Sequence, residues 1–539
     1  MARTPLVAVV ALVAASTASA GAAVPAPRAA ASAAEAVAAA RAWREAHAAE
    51  MLADFARLLA LPNVASDREG IRANARAIAG ELERRGFAVE VAPPPGEPEA
   101  PPVVFGELPA DAPGGAERTV VLYAHYDGQP VEAERWTNPP WQPALYTRAI
   151  EAGGERRPLP GPGEPVDPAW RLYARSAGDD KAPIQALLAA LDALAAAGLG
   201  RRVDVKVLLD GEEEAGSPHL AAQVERLGGR LAADGWLFLD GPVHQSGRPQ
   251  LFFGVRGIAG LDLTVYGANR HLHSGHYGNW APNPILELAR LLAGMKGEDG
   301  RVRVAGFYDT VAPLGEAERR ALAAIERELP GFDDELRREL GLAASEAGDA
   351  PYAERIALPS LNVRGFVGAS VGDTARNVIP PSATASLDVR LVAGNDPEAM
   401  LDRIEEHVRA QGYHLVRDEP TAAERLGHPK LVHAVRRPGY RAVRTPMEGP
   451  FAVWAAAAAE AAAGALVESG GSAAVLRLPT LGGSLPLHVI ADRLAAPIVG
   501  VPIANHDDNQ HAPDENLRLA NLFYGVDLLA ALLAAPAPR

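Results

Sequence analysis

The chain contains no cysteine in its 539 residues. That single absence excludes a disulfide framework, a thiolate metal site and a lipid-anchor cysteine. Any metal must therefore sit on histidine and carboxylate. Positive charge is also scarce: 52 Lys and Arg face 67 Asp and Glu, a formal net charge of −15, which disfavours nucleic acid and anionic membrane as partners. No apolar run after the first twenty residues reaches the roughly 18 uncharged residues that a membrane span requires. Hydrophobic residues make up 48% against 22% charged, the balance of a globular chain that buries a core.

The first twenty residues have a different texture. Arg3 gives a positive start, residues 6–14 an apolar segment, and Ala18-Ser19-Ala20 a small-residue cleavage site before Gly21. Residues 1–20 therefore read as a signal peptide, and the protein as exported to the periplasm or the medium after cleavage near Ala20. Export without disulfides is consistent, because an oxidising compartment permits bridges without demanding them. Residues 21–45, rich in Ala with scattered Pro, read as a loose leader running into a helix.

Further on, residues 51–86 repeat apolar side chains at helical spacing (Phe55, Leu58, Leu59, then Ile71, Ile78, Leu82). Pro- and Gly-rich stretches at 93–102, 109–115 and 158–168 read as surface loops. Between them lie short, continuous apolar runs at 120–123, 203–209, 236–239 and 498–503, as in strands buried on both faces of a mainly parallel sheet. A helical stretch at 183–197 separates two of them, which predicts an α/β layer architecture. The middle of the chain changes period. Residues 384–392 alternate apolar and polar, as do Leu261, Leu263 and Val265, with charged helical stretches at 316–342 and 397–411. We read 258–434 as an inserted α+β lid and 46–257 with 435–539 as one α/β catalytic domain.

Every buried-looking strand runs directly into ionisable residues: His125-Tyr126-Asp127, Asp210-Gly211-Glu212-Glu213-Glu214, Asp240-Gly241, and Asn505-His506-Asp507-Asp508-Asn509-Gln510-His511. A fifth cluster, Gly178-Asp179-Asp180-Lys181, precedes the helix at 183. In open parallel sheets, ligands collect beyond the carboxyl ends of the strands. One such cluster is an ordinary polar cap; five in register place carboxylates side by side, where they repel and protonate unless a cation neutralises them. Imidazole with carboxylate suits zinc. On a strand, residues two apart share a face, so Asp127 can orient His125 through its second ring nitrogen. Among the three glutamates, one can bind metal while its neighbour, turned elsewhere, takes the proton of a metal-held water.

These motifs resemble the di-zinc metallo-exopeptidase family of carnosine dipeptidases, carboxypeptidase G, succinyl-diaminopimelate desuccinylase and aminoacylases, over about residues 50–530. Trp136-Thr137-Asn138-Pro139 and Leu172-Tyr173-Ala174-Arg175 are most similar to the carnosinase-like dipeptidase branch. The resemblance implies two Zn2+ per subunit, with Co2+ or Mn2+ as alternatives, held by His125, Asp179, Glu214, Asp240 and His511. In it Asp127 supports His125, Asp179 bridges the ions and begins a cis peptide bond, and Glu213 is the general base. It also implies a homodimer formed through the lid, with His273 of Leu272-His273-Ser274-Gly275 reaching the neighbouring subunit's site. Arg390, Asn377 and the Gly483-Ser484 loop correspond to the segments that hold the substrate's carboxylate. The expected reaction is hydrolysis of a dipeptide or short-peptide amide bond next to a free C-terminal carboxylate.

The chain departs from the family pattern at Ala182, where glycine is usual, and in the extra histidines His276 and His506. An aspartate at 240 loosely accompanies dipeptidase activity. His271, His276 and His506 read as surface or hydrogen-bonding histidines more readily than as ligands, Glu212 as solvated, and His219 and His244 carry no assignment. Arg390 could instead pair with Asp388 on its own strand face. The runner-up activity is an N-acyl-amino-acid deacylase, with the same chemistry and a different pocket. A non-catalytic exported binding protein is a remote alternative, because the base and the ligands are all present.

Overall fold

The apolar strands of the first and last parts of the chain lie side by side. In the computed structural model, which describes residues 31–346, 348, 350–467 and 474–536, they belong to one eight-stranded sheet. Its order is Ala88–Ala92, Val103–Leu108, Val203–Asp210, Arg118–His125, Gly235–Phe238, Ile498–Gly500, Gln250–Phe252 and Leu476–Leu478. The four central strands, from Val203–Asp210 to Ile498–Gly500, are mutually parallel. Antiparallel pairings flank them on both sides. The sheet is thus mixed, with a parallel centre and a second parallel pair, Gln250–Phe252 with Leu476–Leu478, at one edge.

Alternation along the strand explains its continuous hydrophobicity. Val120, Leu122 and Ala124 face one core, with Leu187 and Leu191 of helix Lys181–Ala196 and the largely apolar helix Leu519–Ala534. Val121 and Tyr123 face the other, with Leu220 and Val224 of helix Leu220–Leu227 and Ile490 of Leu487–Leu494. Both faces are covered, so neither register position can be polar.

The first helix differs from expectation. It spans Ala33–Leu59 and so takes in most of the stretch read as a loose leader. Ser32 Oγ accepts the Glu35 N–H (3.2 Å), and the Glu35 carboxylate accepts the Ser32 N–H (2.8 Å), a reciprocal cap. Alanine is the best helix former, so the composition that suggested looseness is here helical. Residues 1–20, read as a signal peptide, lie outside the described residues. Beyond Pro62 a second helix, Arg68–Arg84, starts on an Asp67 cap. Among the described residues no helix is long and apolar enough to cross a membrane.

The middle of the chain forms a separate five-stranded sheet in the order Ser360–Val367, Ser382–Leu391, Gly257–Tyr266, Leu431–Tyr440, His414–Val416. Leu261, Leu263 and Val265 point to the same side as Ala385, Leu387 and Val389, under helices Pro284–Met295 and Pro397–Ala410. The opposite face carries Asp262, Asp388 and Arg390, which accounts for the period of two.

Gly500 shows how closely the central sheet is packed. A Cβ there would stand 1.9–2.1 Å from carbons of the Phe252 ring on the neighbouring strand. Gly500→Ala should lower stability by about 1–3 kcal/mol, the usual range for overpacking, read as a lower urea midpoint with an unchanged slope.

Candidate metal centre and active site

The register of the sheet brings the charged strand ends level. His125 sits opposite Asp210 and Tyr123 opposite Phe238, so Asp240, two residues on, emerges beside His125. Asp127, fully buried, then organises the next loop. Its Oδ1 lies 3.3 Å from His125 Nδ1, and its two oxygens accept the N–H groups of Glu213 (3.0 Å) and Glu214 (3.1 Å). Asp210 tightens the same loop by accepting from Ser217 Oγ (2.7 Å) and the Glu212 N–H (3.1 Å). One carboxylate therefore orients a histidine and two consecutive glutamates.

Asp179 is the second organising group. Its Oδ1 lies 2.8 Å from His125 Nε2 and its Oδ2 3.1 Å from His511 Nε2, so one carboxylate spans two histidines from different parts of the chain. His511 Nε2 is also 3.2 Å from Glu214 Oε2, which accepts from Gln129 Nε2 (2.8 Å). Donor atoms of His125, Asp180 and Asp240 gather within 4.8 Å of one another, and so do those of Asp179, Glu214 and His511. The Asp179–Asp180 peptide bond is cis.

The electrostatics are those of too many acids in one dry place. Burial lifts Asp240 to about 7 against the pull of His125, with Asp179 and Glu214 adding to the rise. Burial likewise lifts Asp127 to about 6, again opposed by His125. Asp180 is pushed well up by burial and by the charge of Asp240; Glu213 is pushed well up by burial, His125 opposing. Burial acts against charge on Asp179 too, but His125, His511 and Gln510 hold it far below the usual carboxylate range. Hydrogen bonds to Asp179 and Glu214 raise His511 to about 10, and Asp179 and Asp127 raise His125 despite its burial. Protein charges alone thus leave several of these acids protonated. A donor set of carboxylate oxygens and imidazole nitrogens, in two groups sharing His125–Asp179 contact, fits a pair of divalent cations such as zinc.

Comparison with known proteins points to metallopeptidases. Residues 253–415 match the family described as peptidase dimerisation domain. The chain is 25% identical to the Cys-Gly metallodipeptidase of Candida albicans, over 88% of this chain and 92% of that protein. It is 28% identical to the human Beta-Ala-His dipeptidase over 57% of this chain and 56% of the relative. In fold it is similar to an M20 family metallo-carboxypeptidase of Sulfolobus solfataricus, with a TM-score of 0.68, 24% identity, and coverage of 90% and 98% of the two chains. The chain is similar to M20 metallopeptidases: its middle matches their dimerisation domain, and the curated relatives it resembles are metallodipeptidases. Like these relatives it is a peptide-bond hydrolase, and it shares their mixed α/β fold, with residues 253–415 in the place of the dimerisation domain.

The second group of expected residues divides in two. Arg390 and Ser484 meet: Nη1 donates to Ser484 Oγ at 2.8 Å, while Nε donates to Asp388 Oδ2 at 3.0 Å, so the strand-face pairing and the contact with the loop coexist. The Gly483 carbonyl accepts the Arg256 N–H (3.2 Å). His273 and Asn377 pair elsewhere. His273 is exposed, packs at a tilt against His276 (centroids 4.5 Å apart) and accepts the Gly275 N–H; the Asn377 carbonyl accepts the Ser274 N–H. The contacts described for these two residues do not include the acid cluster of their own subunit.

Glu212 corrects the expectation of a solvated side chain. It is buried and accepts the N–H of His219 (2.9 Å) and its Nδ1 (3.0 Å), because the loop turns it inward beneath Asp210. Two further groups were not singled out from sequence. Glu515, fully buried, accepts from Arg175 (2.7 Å) and from the N–H groups of Ser176, Gly178 and Asp179 (2.9–3.1 Å), fixing the turn that presents Asp179. Gln510 Nε2 donates to Asp179 Oδ2 at 2.7 Å. An acid four residues beyond His511 resembles any surface charge in sequence; only its partner Arg175, 340 positions away, reveals it.

If Asp127 holds this architecture, Asp127→Asn should weaken divalent-metal affinity about 10–100-fold, as loss of a supporting ligand partner does. Metal titration followed by tryptophan fluorescence checks this. Chelation of the wild type should lower its melting temperature, since binding stabilises the native state alone.

Proposed function

We propose that this protein is a dipeptidase that hydrolyses the amide bond next to a free C-terminal carboxylate, using two zinc ions and Glu213 as general base. The observation that carries the reading is Asp179, whose two oxygens serve His125 and His511 and so join two ligand groups into one centre. Relatives named for Cys-Gly and Beta-Ala-His dipeptides support the substrate class.

In this reading His125, Asp179, Glu214, Asp240 and His511 hold the ions, with Asp180 adjoining. Bound there, the ions would supply Lewis acidity toward the scissile carbonyl and acidify water; Co2+ or Mn2+ fits the same donors. Glu213 takes a proton from the attacking water and returns it to the departing amine nitrogen. Burial favours the protonated form of Glu213, which suits it to carry that proton. Asp127 keeps the glutamate loop and His125 in place. Arg390, steadied by Asp388 and Ser484, presents the rest of its guanidinium to the substrate carboxylate, where a planar fork can bind both oxygens. Asn377 and the Gly483-Ser484 loop complete that end. Anchoring the terminal carboxylate makes the cleavage exo.

We assign residues 46–257 and 435–539 to the catalytic domain and 258–434 to the lid, through which two chains form a homodimer. The edge strand Ser360–Val367 exposes Val363, Phe366 and Val367, an apolar sheet edge of the kind that a partner covers. His273, away from its own acid cluster, would then reach the partner's site and donate to the carbonyl oxygen as charge develops there. The composition of residues 1–20 supports export before the enzyme acts.

Two experiments test these assignments. Glu213→Gln should retain metal and lose about 10²–10⁴-fold in kcat, the usual contribution of a positioned base, whereas Glu214→Gln should lose metal; the opposite pattern in metal analysis would show the roles to be exchanged. Mixing inactive His273→Ala and Glu213→Gln chains under subunit exchange should restore part of the activity, since some sites then hold both groups. A mixture that stays inactive despite proven exchange rules out shared sites.

A further inference from the structure

Between the acid cluster and the lid lies a cavity of about 150 Å³. Its wall is apolar, built from Val243, Leu322, Ile325, Ile356 and Leu481. Leu322 and Ile325 belong to helix Glu316–Glu328, which packs on the strand Leu476–Leu478, so this wall is a fixed part of the core. Among the described residues no Asp, Glu, Lys or Arg lines the cavity, and Gln245, Gln250 and Thr480 add uncharged polar groups to it. The volume matches a cavity known to accept a benzene-sized apolar group.

Two of its edges belong to the site already described. Pro242 follows Asp240 by two residues, and Pro242 and Val243 are tied to Ala504, shortly before the lining residue His506 and the ligand His511. Gly482 directly precedes Gly483 and Ser484, and Ser484 accepts from Arg390. The cavity is thus lined by segments that continue directly from the strand end carrying Asp240 and lead directly into the loop carrying Ser484. In a dipeptide the group between a scissile carbonyl and the terminal carboxylate is the side chain of the C-terminal residue.

We infer that this cavity is the subsite for that side chain and selects apolar residues of leucine, methionine or phenylalanine size, an inference that rests on the proposed orientation of the substrate. A charged side chain would enter a wall without a counter-ion and lose its hydration uncompensated. Glycine would leave the cavity unfilled. Of the two histidines in the wall, His244 is held down at about 4 by burial, with the charges of Arg248 and His506 adding to the fall, and its Nδ1 accepts the Ser246 N–H at 3.1 Å.

The test compares kcat/KM of the zinc-loaded enzyme on Ala-Leu, Ala-Phe, Ala-Gly, Ala-Asp and Ala-Lys, with N-acetyl-leucine and N-acetyl-glycine alongside. Ala-Leu and Ala-Phe should exceed Ala-Gly at least tenfold, in line with the roughly 10–200-fold that a hydrophobic pocket yields per methylene; Ala-Asp and Ala-Lys should fall below both. Ala353→Phe, which fills the cavity from the helix Tyr352–Ile356, should collapse the leucine-to-glycine ratio toward one. Ala-Gly cleaved as fast as Ala-Leu overturns the subsite and leaves the dipeptidase reading intact. Cleavage of N-acetyl-leucine over N-acetyl-glycine, with the dipeptides untouched, overturns the dipeptidase reading and leaves the subsite intact. Should nothing be turned over, the melting temperature decides: free leucine should raise it more than glycine does, and equal shifts overturn the subsite.

Discussion

Asp127, Asp179, Asp180 and Asp240 share the buried carboxyl end of one sheet with two glutamates and His125, and their mutual repulsion is the constraint around which the molecule is arranged. Buried carboxylates ionise only when something positive, or several N–H donors, stands against them. The chain answers with donors from distant segments: two loop N–H groups on Asp127, two histidines on Asp179, and an arginine with three backbone N–H groups on Glu515. The charge still unanswered is what a pair of cations would balance. Metal bound there would couple its binding to folding for that reason.

The parallel centre of the sheet makes this convergence possible. Parallel strands end on the same side, so each crossover returns its next acidic loop to the same rim. The antiparallel edge strands contribute no ligand to the centre. Because both faces of the sheet are sealed by helices, the rim is where polar side chains from these strands can gather, and the helix Lys181–Ala196 starts directly under Asp179. The five-stranded sheet meets this rim through Arg390 and the 482–484 loop, so contacts that would fix substrate orientation come from outside the metal-binding layer.

Much of this was legible along the chain because its signals are local. Continuous apolar runs mark strands sealed on both faces, period-two runs mark the half-exposed lid sheet, and a histidine two residues from an aspartate marks one strand face. Composition misled at residues 33–45, where an alanine-rich stretch taken for a loose leader is a capped helix; propensity, not polarity, decides there. Glu212 misled for the opposite reason. A third consecutive glutamate looks solvated, but the turn set by Asp210 points it inward to His219.

By itself, then, the sequence determined which elements form and which residues could bear charge chemistry, since both depend on neighbours within a few positions. Only the tertiary structure decided which of those residues meet. Asp179 joins His125 to His511 across more than 300 positions, Arg175 finds Glu515 across 340, and Arg390 of the five-stranded sheet pairs with Ser484 of a loop 94 positions on. The cavity between helix Glu316–Glu328 and the loops at 242–245 and 478–482 has no counterpart in any one segment. Such contacts follow from strand order and crossover direction, which collect the short-range preferences of the whole chain, and no short-range pattern records them.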